Sequence, residues 1–181
     1  TGLKGFFLQE EDTQVDADAF TSEGIFVFDN GFGVDVSVGQ VVRVLGEVTE
    51  YYELTELNNV TGLKVCPEPG IASAVTINLP VTNLKEWEHA EGMLVNLPQK
   101  LYVTENYSLG QYGEVDLSVN GRLFNPTQIV APGTPAIDQQ DLNDRSRIQL
   151  DDGSNKQNPT PLPPYLGPDN TLRGGDTVMG V

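Results

Sequence analysis

Cysteine and histidine occur once each in 181 residues, as Cys66 and His89. One thiol cannot close an internal disulfide. Cys66 is either an idle thiol or one whose partner lies outside the chain. One His and one Cys cannot supply the ligands of a structural zinc site. A Ser-His-Asp or Cys-His centre would have to use His89, which sits in the short polar stretch Asn83–His89 with no nucleophile beside it. Cationic residues are also scarce: 10 Lys and Arg against 26 Asp and Glu, a formal net charge of -16. Such a surface repels phosphate backbones at long range, so a general nucleic-acid-coating role is excluded and any such contact must come from local clusters. The acid excess fits a highly soluble secreted or salt-tolerant protein, or one that binds divalent cations. No apolar run approaches the ~20 residues that cross a bilayer, so no membrane insertion is expected. The chain opens on Thr1 rather than Met and closes on Gly180-Val181, which reads as a piece of a larger protein.

What the chain does contain is strand signal. Gly5–Gln9 and Gly24–Phe28 are short apolar runs, the second closed by the turn residues Asp29-Asn30-Gly31. Val41–Thr49 is the longest strand; Val42, Val44 and Val48 share one face, and Gly46 between them predicts a bulge or sharp coil of the kind a small barrel needs. Tyr51–Leu57 is predicted to leave that bend as a strand, followed by shorter strands at Leu63–Val65 and Ala74–Ile77. Asn83–His89 predicts a short helix, with Asn83 as cap and Glu86 at the capping-box position, and with Trp87 packing rather than stacking on a ligand. Strands resume at Gly92–Leu97, Lys100–Thr104 and Glu114–Val119, and Asn120-Gly121 predicts a hairpin into Arg122–Phe124. Ala136–Asp144 predicts a second short helix, and Arg147–Leu150 and Thr177–Met179 further strands. Five prolines between Asn158 and Asp169 exclude a regular element there.

Two stretches repeat one pattern of strand, acidic turn, loop, glycine, polar residue and strand. Phe26–Gly31 with Gly39–Val42 is the first; Ile148–Gly153 with Gly175–Val178 is the second, its loop lengthened by the prolines. The expected fold class is therefore all-β: two consecutive OB-like small barrels with short connecting helices. Residues 1–80 form the first module, its first strand not contained in it; 81–90 form a helical linker. Residues 91–181 form a second module with the Pro-rich insertion at 157–169, cut short at its C-terminus.

Particular residues carry a family resemblance. Gly5–Glu10, Thr21–Phe28, Val38–Val44 and Gly46–Tyr52 resemble the OB-fold module of large secreted or surface-attached bacterial DNA nucleases. Glu91–Val95, Val103–Tyr107, Gly121–Thr127 and Leu150–Gly153 are similar to the region C-terminal to that module in the same proteins. The resemblance implies a secreted or cell-surface bacterial parent whose metal-dependent nuclease activity resides in a C-terminal endonuclease/exonuclease/phosphatase-type domain. No catalytic motif of that domain occurs in this chain. The resemblance thus implies a non-catalytic region that positions extracellular DNA, single-stranded or locally opened, for the nuclease domain of the same chain.

An OB barrel holds single strands through stacking aromatics and basic residues. The candidates are Arg43, Tyr51 and Tyr52, with Phe6, in the first module, and Tyr107, Tyr112, Arg122, Arg145 and Arg147, with Tyr102, in the second. Tyrosines on strands also simply cover a sheet, the phenylalanines are expected in the core, and the acids near Arg145 and Arg147 suit a salt-bridged surface equally well. Glu10, Glu11, Asp12, Asp16, Asp18 and Glu23 crowd one loop, and Asp12, Asp16 and Asp18 are candidate ligands for a structural calcium ion, although the EF-hand spacing is absent. The competing reading of the whole chain is an acidic, calcium-stiffened structural or adhesive spacer of a surface protein.

Overall fold

The computed structural model describes residues 2–18 and 20–181. It is strand-rich with few helices. The chain divides into two compact units, Thr1–Val75 with Trp87–Val95, and Thr76–Glu86 with Asn96–Val181. Residues 81–90, which the sequence marks as a linker, are thus shared out between the two units.

The first unit holds one four-stranded sheet of β1 (Phe6–Gln9), β2 (Gly24–Val27), β3 (Gln40–Tyr51) and β4 (Leu54–Pro69), in the order β1-β2-β4-β3. β1 and β2 run antiparallel with Phe7 opposite Phe26, their ring centroids 5.1 Å apart. β2 and β4 run parallel, Phe26 beside Glu56 and Val27 beside Leu57. Phe26 and Val27 are the buried apolar pair of this sheet. Gly24 is required by packing rather than by a turn: a Cβ there would stand 2.5 Å from the carbonyl carbon of Gly92 and 2.6 Å from the oxygen of Glu91.

β3 and β4 form a long antiparallel ribbon that places Val42 opposite Val65, Val44 opposite Leu63 and Val48 opposite Leu57, the face expected from the alternating valines. The expected irregularity at Gly46 is present, but the extra residues belong to the partner. Leu45 pairs with Gly62 and Glu47 with Asn58, and Asn59 takes a left-handed φ of 47° to absorb them. The sequence predicts separate strands at Tyr51–Leu57 and Leu63–Val65; because the bulge takes up the mismatch, they are one strand, and the turn lies at Tyr52-Glu53.

In chain order, the two larger sheets are separated by the short paired strands β5 (Val75–Thr76) and β6 (Val95–Asn96) and a 3-10 helix over Leu84–Ala90. Asn83 Oδ1 accepts from the Lys85 amide at 2.9 Å, as its capping position predicts. Glu86 instead accepts from the Thr82 amide at 3.1 Å, one residue before the expected reciprocal partner.

The second unit holds β7 (Leu101–Glu105), β8 (Val115–Val119), β9 (Arg147–Leu150) and β10 (Thr177–Val178), in the order β10-β7-β8-β9 and antiparallel throughout. Leu101 faces Val119 and Val103 faces Leu117, and these four, with Val115, Leu79, Val81, Leu97 and Leu172, are buried. Helix α1 (Leu109–Tyr112), not foreseen, joins β7 to β8, and α2 (Thr134–Arg145) lies between β8 and β9. Asn120 and Gly121 do turn the chain, with φ of 64° and 117°, but Arg122–Phe124 forms no strand; its polar groups bond to Thr104 instead. The proline-rich loop is tied down by the Asn158 amide on Gln111 O and by the Tyr165 hydroxyl donating to Gly113 O.

The two repeated stretches fold alike. The Gly31 amide donates to Asp29 Oδ1 at 3.0 Å, and the Gly153 amide to Asp151 Oδ1 at 2.7 Å. All four of their glycines, Gly31, Gly39, Gly153 and Gly175, have positive φ. Among the described residues neither four-stranded sheet closes on itself: the edges are β1 and β3 in the first unit, β10 and β9 in the second.

Leu117→Ala should lower the stability of the second unit by about 2–5 kcal/mol, the usual range for emptying a filled core site. Gly24→Ala should destabilise the first unit by about 1–3 kcal/mol through overpacking. Denaturant unfolding of each variant, followed by amide resonances of the affected unit, measures both.

Candidate nucleic-acid interface

The β3–β4 ribbon decides where the first unit's candidate residues stand. Arg43 lies directly opposite Lys64. Both are exposed, and among the described residues neither has an ion pair. Like charges facing each other across a ladder destabilise it, so this cation pair costs the fold stability that a bound anion would offset. The sequence identifies Arg43 but not Lys64, because only the register makes them neighbours. The same face of β3 carries Leu45, which is largely exposed.

Tyr51 and Tyr52 stand at the tip of the ribbon, 59% and 89% exposed, their rings edge-to-face with centroids 4.7 Å apart. The exposure matters because it leaves both rings free to stack. The turn itself is strained. Tyr52 and Glu53 have φ of 51° and 67°, the left-handed pair of a two-residue hairpin, a place that favours Asn and Gly. Nothing in the backbone recommends a tyrosine there. Phe6 is half-buried on β1, beside Val27; of the phenylalanines expected in the core Phe26 is buried, whereas Phe7, Phe20, Phe32 and Phe124 are exposed, because a four-stranded open sheet does not cover them.

In the second unit the candidates are scattered and most of the cations are engaged. Tyr107 is well exposed just after β7, and Tyr112 ends α1 partly exposed. Tyr102 lies under the Lys100 ammonium, 5.2 Å from its ring centroid, a pairing that the sequence reading missed. Arg122 Nε donates to Thr104 O at 3.3 Å, and its guanidinium lies against Gly174, where any Cβ would come within 3.3 Å of it. Arg145 pairs with Asp141 at 2.9 Å. Arg147 reaches Asp116 at 3.2 Å and Asp144 at 3.4 Å. Arg145 and Arg147 are therefore parts of a salt-bridged surface, one of the two readings that their acidic neighbours allow.

The acidic loop is organised by its own backbone. Both oxygens of Asp12 are taken by Ser73, the amide at 2.7 Å and the hydroxyl at 2.6 Å, and these bonds hold Asp12 below its ordinary 3.8. Asp16 Oδ1 accepts from the Asp18 amide, and Asp18 Oδ1 from the Phe20 amide. Glu23 is raised, first by desolvation and then by the carboxylates of Asp16 and Glu10. Among the described residues no three acidic, His or Cys side chains are grouped as a metal site, and no helix is long and apolar enough to cross a membrane.

Comparison of the chain with family models, with curated proteins and with solved structures found no match.

Replacing Tyr52-Glu53 by Asn-Gly should stabilise the first unit by roughly 1–2 kcal/mol, since both positions then accept a positive φ; the unfolding midpoint reads this. The folded Asp12 has the depressed value, so its contribution is complete above the unfolded value and is lost as pH falls below about 4. Glu23 has the opposite sign, its proton being held more tightly by the folded chain, so Glu23→Gln should lessen the cost of the crowded loop at neutral pH. Exchange of the Ser73 and Asp18 amides against pH follows the two effects separately.

Proposed function

We propose that the chain is a pair of OB-like modules that hold single-stranded or locally opened DNA for a metal-dependent nuclease domain elsewhere in the same secreted or surface-attached bacterial protein. Strand order is the observation that carries this reading. An OB barrel is a five-stranded Greek key whose strands succeed one another around the barrel as 1-2-3-5-4, with strand 4 returning to strand 1 and strands 3 and 5 parallel. The first unit's β1-β2-β4-β3, with its single parallel pair β2–β4, corresponds to strands 2-3-5-4. The second unit's β10-β7-β8-β9 corresponds to 4-1-2-3. Under this correspondence both repeated acidic turns join strand 3 to strand 4, which the pattern of the repeat independently requires.

The β3–β4 tip is then the loop between strands 4 and 5, one of the places where OB folds contact oligonucleotides. Two exposed tyrosines there and an uncompensated Arg43–Lys64 pair on the ribbon supply stacking and phosphate contact in a chain whose overall charge opposes both. Stacking contributes ~1–3 kcal/mol per base, enough for two rings to outweigh that charge locally. In this reading a calcium ion at the acidic loop, with Asp12, Asp16 and Asp18 as its candidate ligands, lessens the carboxylate repulsion.

The test is titration of the chain with fluorescent oligothymidine at low salt, with and without calcium. Binding at micromolar concentration is expected, tightened by calcium. Tyr51→Ala or Tyr52→Ala should weaken it by about 5- to 100-fold, and Lys64→Ala should reduce the salt slope by about 1. Absence of binding at high micromolar concentration would reject the reading and favour an acidic spacer.

A further inference from the structure

The second unit carries an open cleft of about 530 Å³ lined by Thr82, Asn83, Leu84, Lys85, Asp141 and Arg145. Its volume lies in the range of small-molecule sites, but it is open to solvent on one side, so a ligand there is held mainly by its polar contacts. The segment that forms one wall is anchored from below. Leu79 and Val81 are 3% and 2% exposed, which fixes the stretch immediately before Thr82. Gln99 brackets Leu79, accepting from its amide at 2.6 Å and donating to its carbonyl at 2.7 Å. Arg145 brackets Val81 in the same manner: its carbonyl accepts from the Val81 amide and its Nη1 donates to Val81 O, both at 3.0 Å. A ligand entering this cleft does not have to order it first, which is where much binding energy is otherwise lost.

The donors left over define the ligand. Asp141 accepts from Arg145 Nε at 2.9 Å and so aims the guanidinium, while Nη2 has no partner among the described residues. The Lys85 side chain is exposed and has no ion pair among them either. The acids at the rim are engaged, Asp141 by Arg145 and Glu86 by the Thr82 amide. The Asn83 side-chain amide nitrogen and the Thr82 hydroxyl add uncharged donors, and the half-exposed Leu84 adds apolar surface to the lining. The two cations of the lining outnumber its one carboxylate, Asp141, which favours an anion, and a phosphomonoester carries ~1.5–2 negative charges at neutral pH where a carboxylate carries one.

We propose that this cleft binds a phosphomonoester of nucleotide size, its phosphate between Arg145 and Lys85 and its apolar portion on Leu84. The site is separate from the ribbon tyrosines and does not rest on single-strand binding by the first unit. Its ligand is either a free mononucleotide or the phosphorylated end of an oligonucleotide.

Amide and guanidinium resonances of the whole chain are followed during addition of inorganic phosphate, dAMP, 5′-phosphorylated oligothymidine and the 5′-hydroxyl oligomer. Phosphate and dAMP should shift Lys85 and Arg145 at millimolar concentration. Lys85→Met, at an exposed position, should weaken dAMP by about tenfold, and Lys85→Arg should restore it. A shift by the phosphorylated but not the hydroxyl oligomer identifies a strand end as the source; a shift by dAMP alone identifies the free nucleotide. No shift with phosphate or dAMP, equal shifts with succinate, or an unchanged dAMP affinity in Lys85→Met overturns the proposal.

Discussion

The backbone ladder between β3 and β4 is the constraint that sets the first unit's other features. Its register puts Val42, Val44 and Val48 on one face and sets Arg43 against Lys64. It also obliges the chain to reverse within two residues, at Tyr52-Glu53. None of these placements is free to change alone. A shift of one residue would exchange the two faces, moving Arg43 to the side where Val42 and Val44 are half-buried. The bulge at Asn58–Thr61 is how the strand keeps register over its length without breaking. Gly46 is needed opposite that bulge, where a Cβ would approach Asn58 O to 2.5 Å.

Strain and unbalanced charge coincide on this ribbon. Two non-glycine residues hold left-handed conformations at its tip, and two like charges oppose each other along it, in a chain with 26 acids available for pairing. Both features cost stability, and both put forward a group a single strand would use: an exposed ring, an unpaired cation. Elsewhere Arg145, Arg147 and Arg173 pair with acids, while Lys100 lies over the Tyr102 ring and Arg122 donates to a backbone carbonyl.

Acidity in this chain is local chemistry as well as solubility. Asp29 and Asp151 close matching turns, Asp12 anchors Ser73, and Asp16 and Asp18 cap their own loop. Carboxylates that accept backbone amides replace the hydrogen bonds an irregular loop would otherwise leave to water. That is why a loop so rich in acids keeps a defined path despite the repulsion felt at Glu23.

The amino-acid sequence by itself determined the strand-rich class, most strand positions, the α2 helix and the two matched acidic turns. Each of these rests on local information: period-two alternation, Asx chemistry and glycines at positive φ. It also singled out Arg43, Tyr51 and Tyr52. Only the tertiary structure decided that β4 is continuous, that β2 and β4 run parallel, that Lys64 faces Arg43, and that Arg145 walls a cleft with Lys85. Those facts depend on pairing between residues distant in the chain, and pairing is set by the register of whole strands and by which buried side chains fit together. No run of neighbouring residues contains that information.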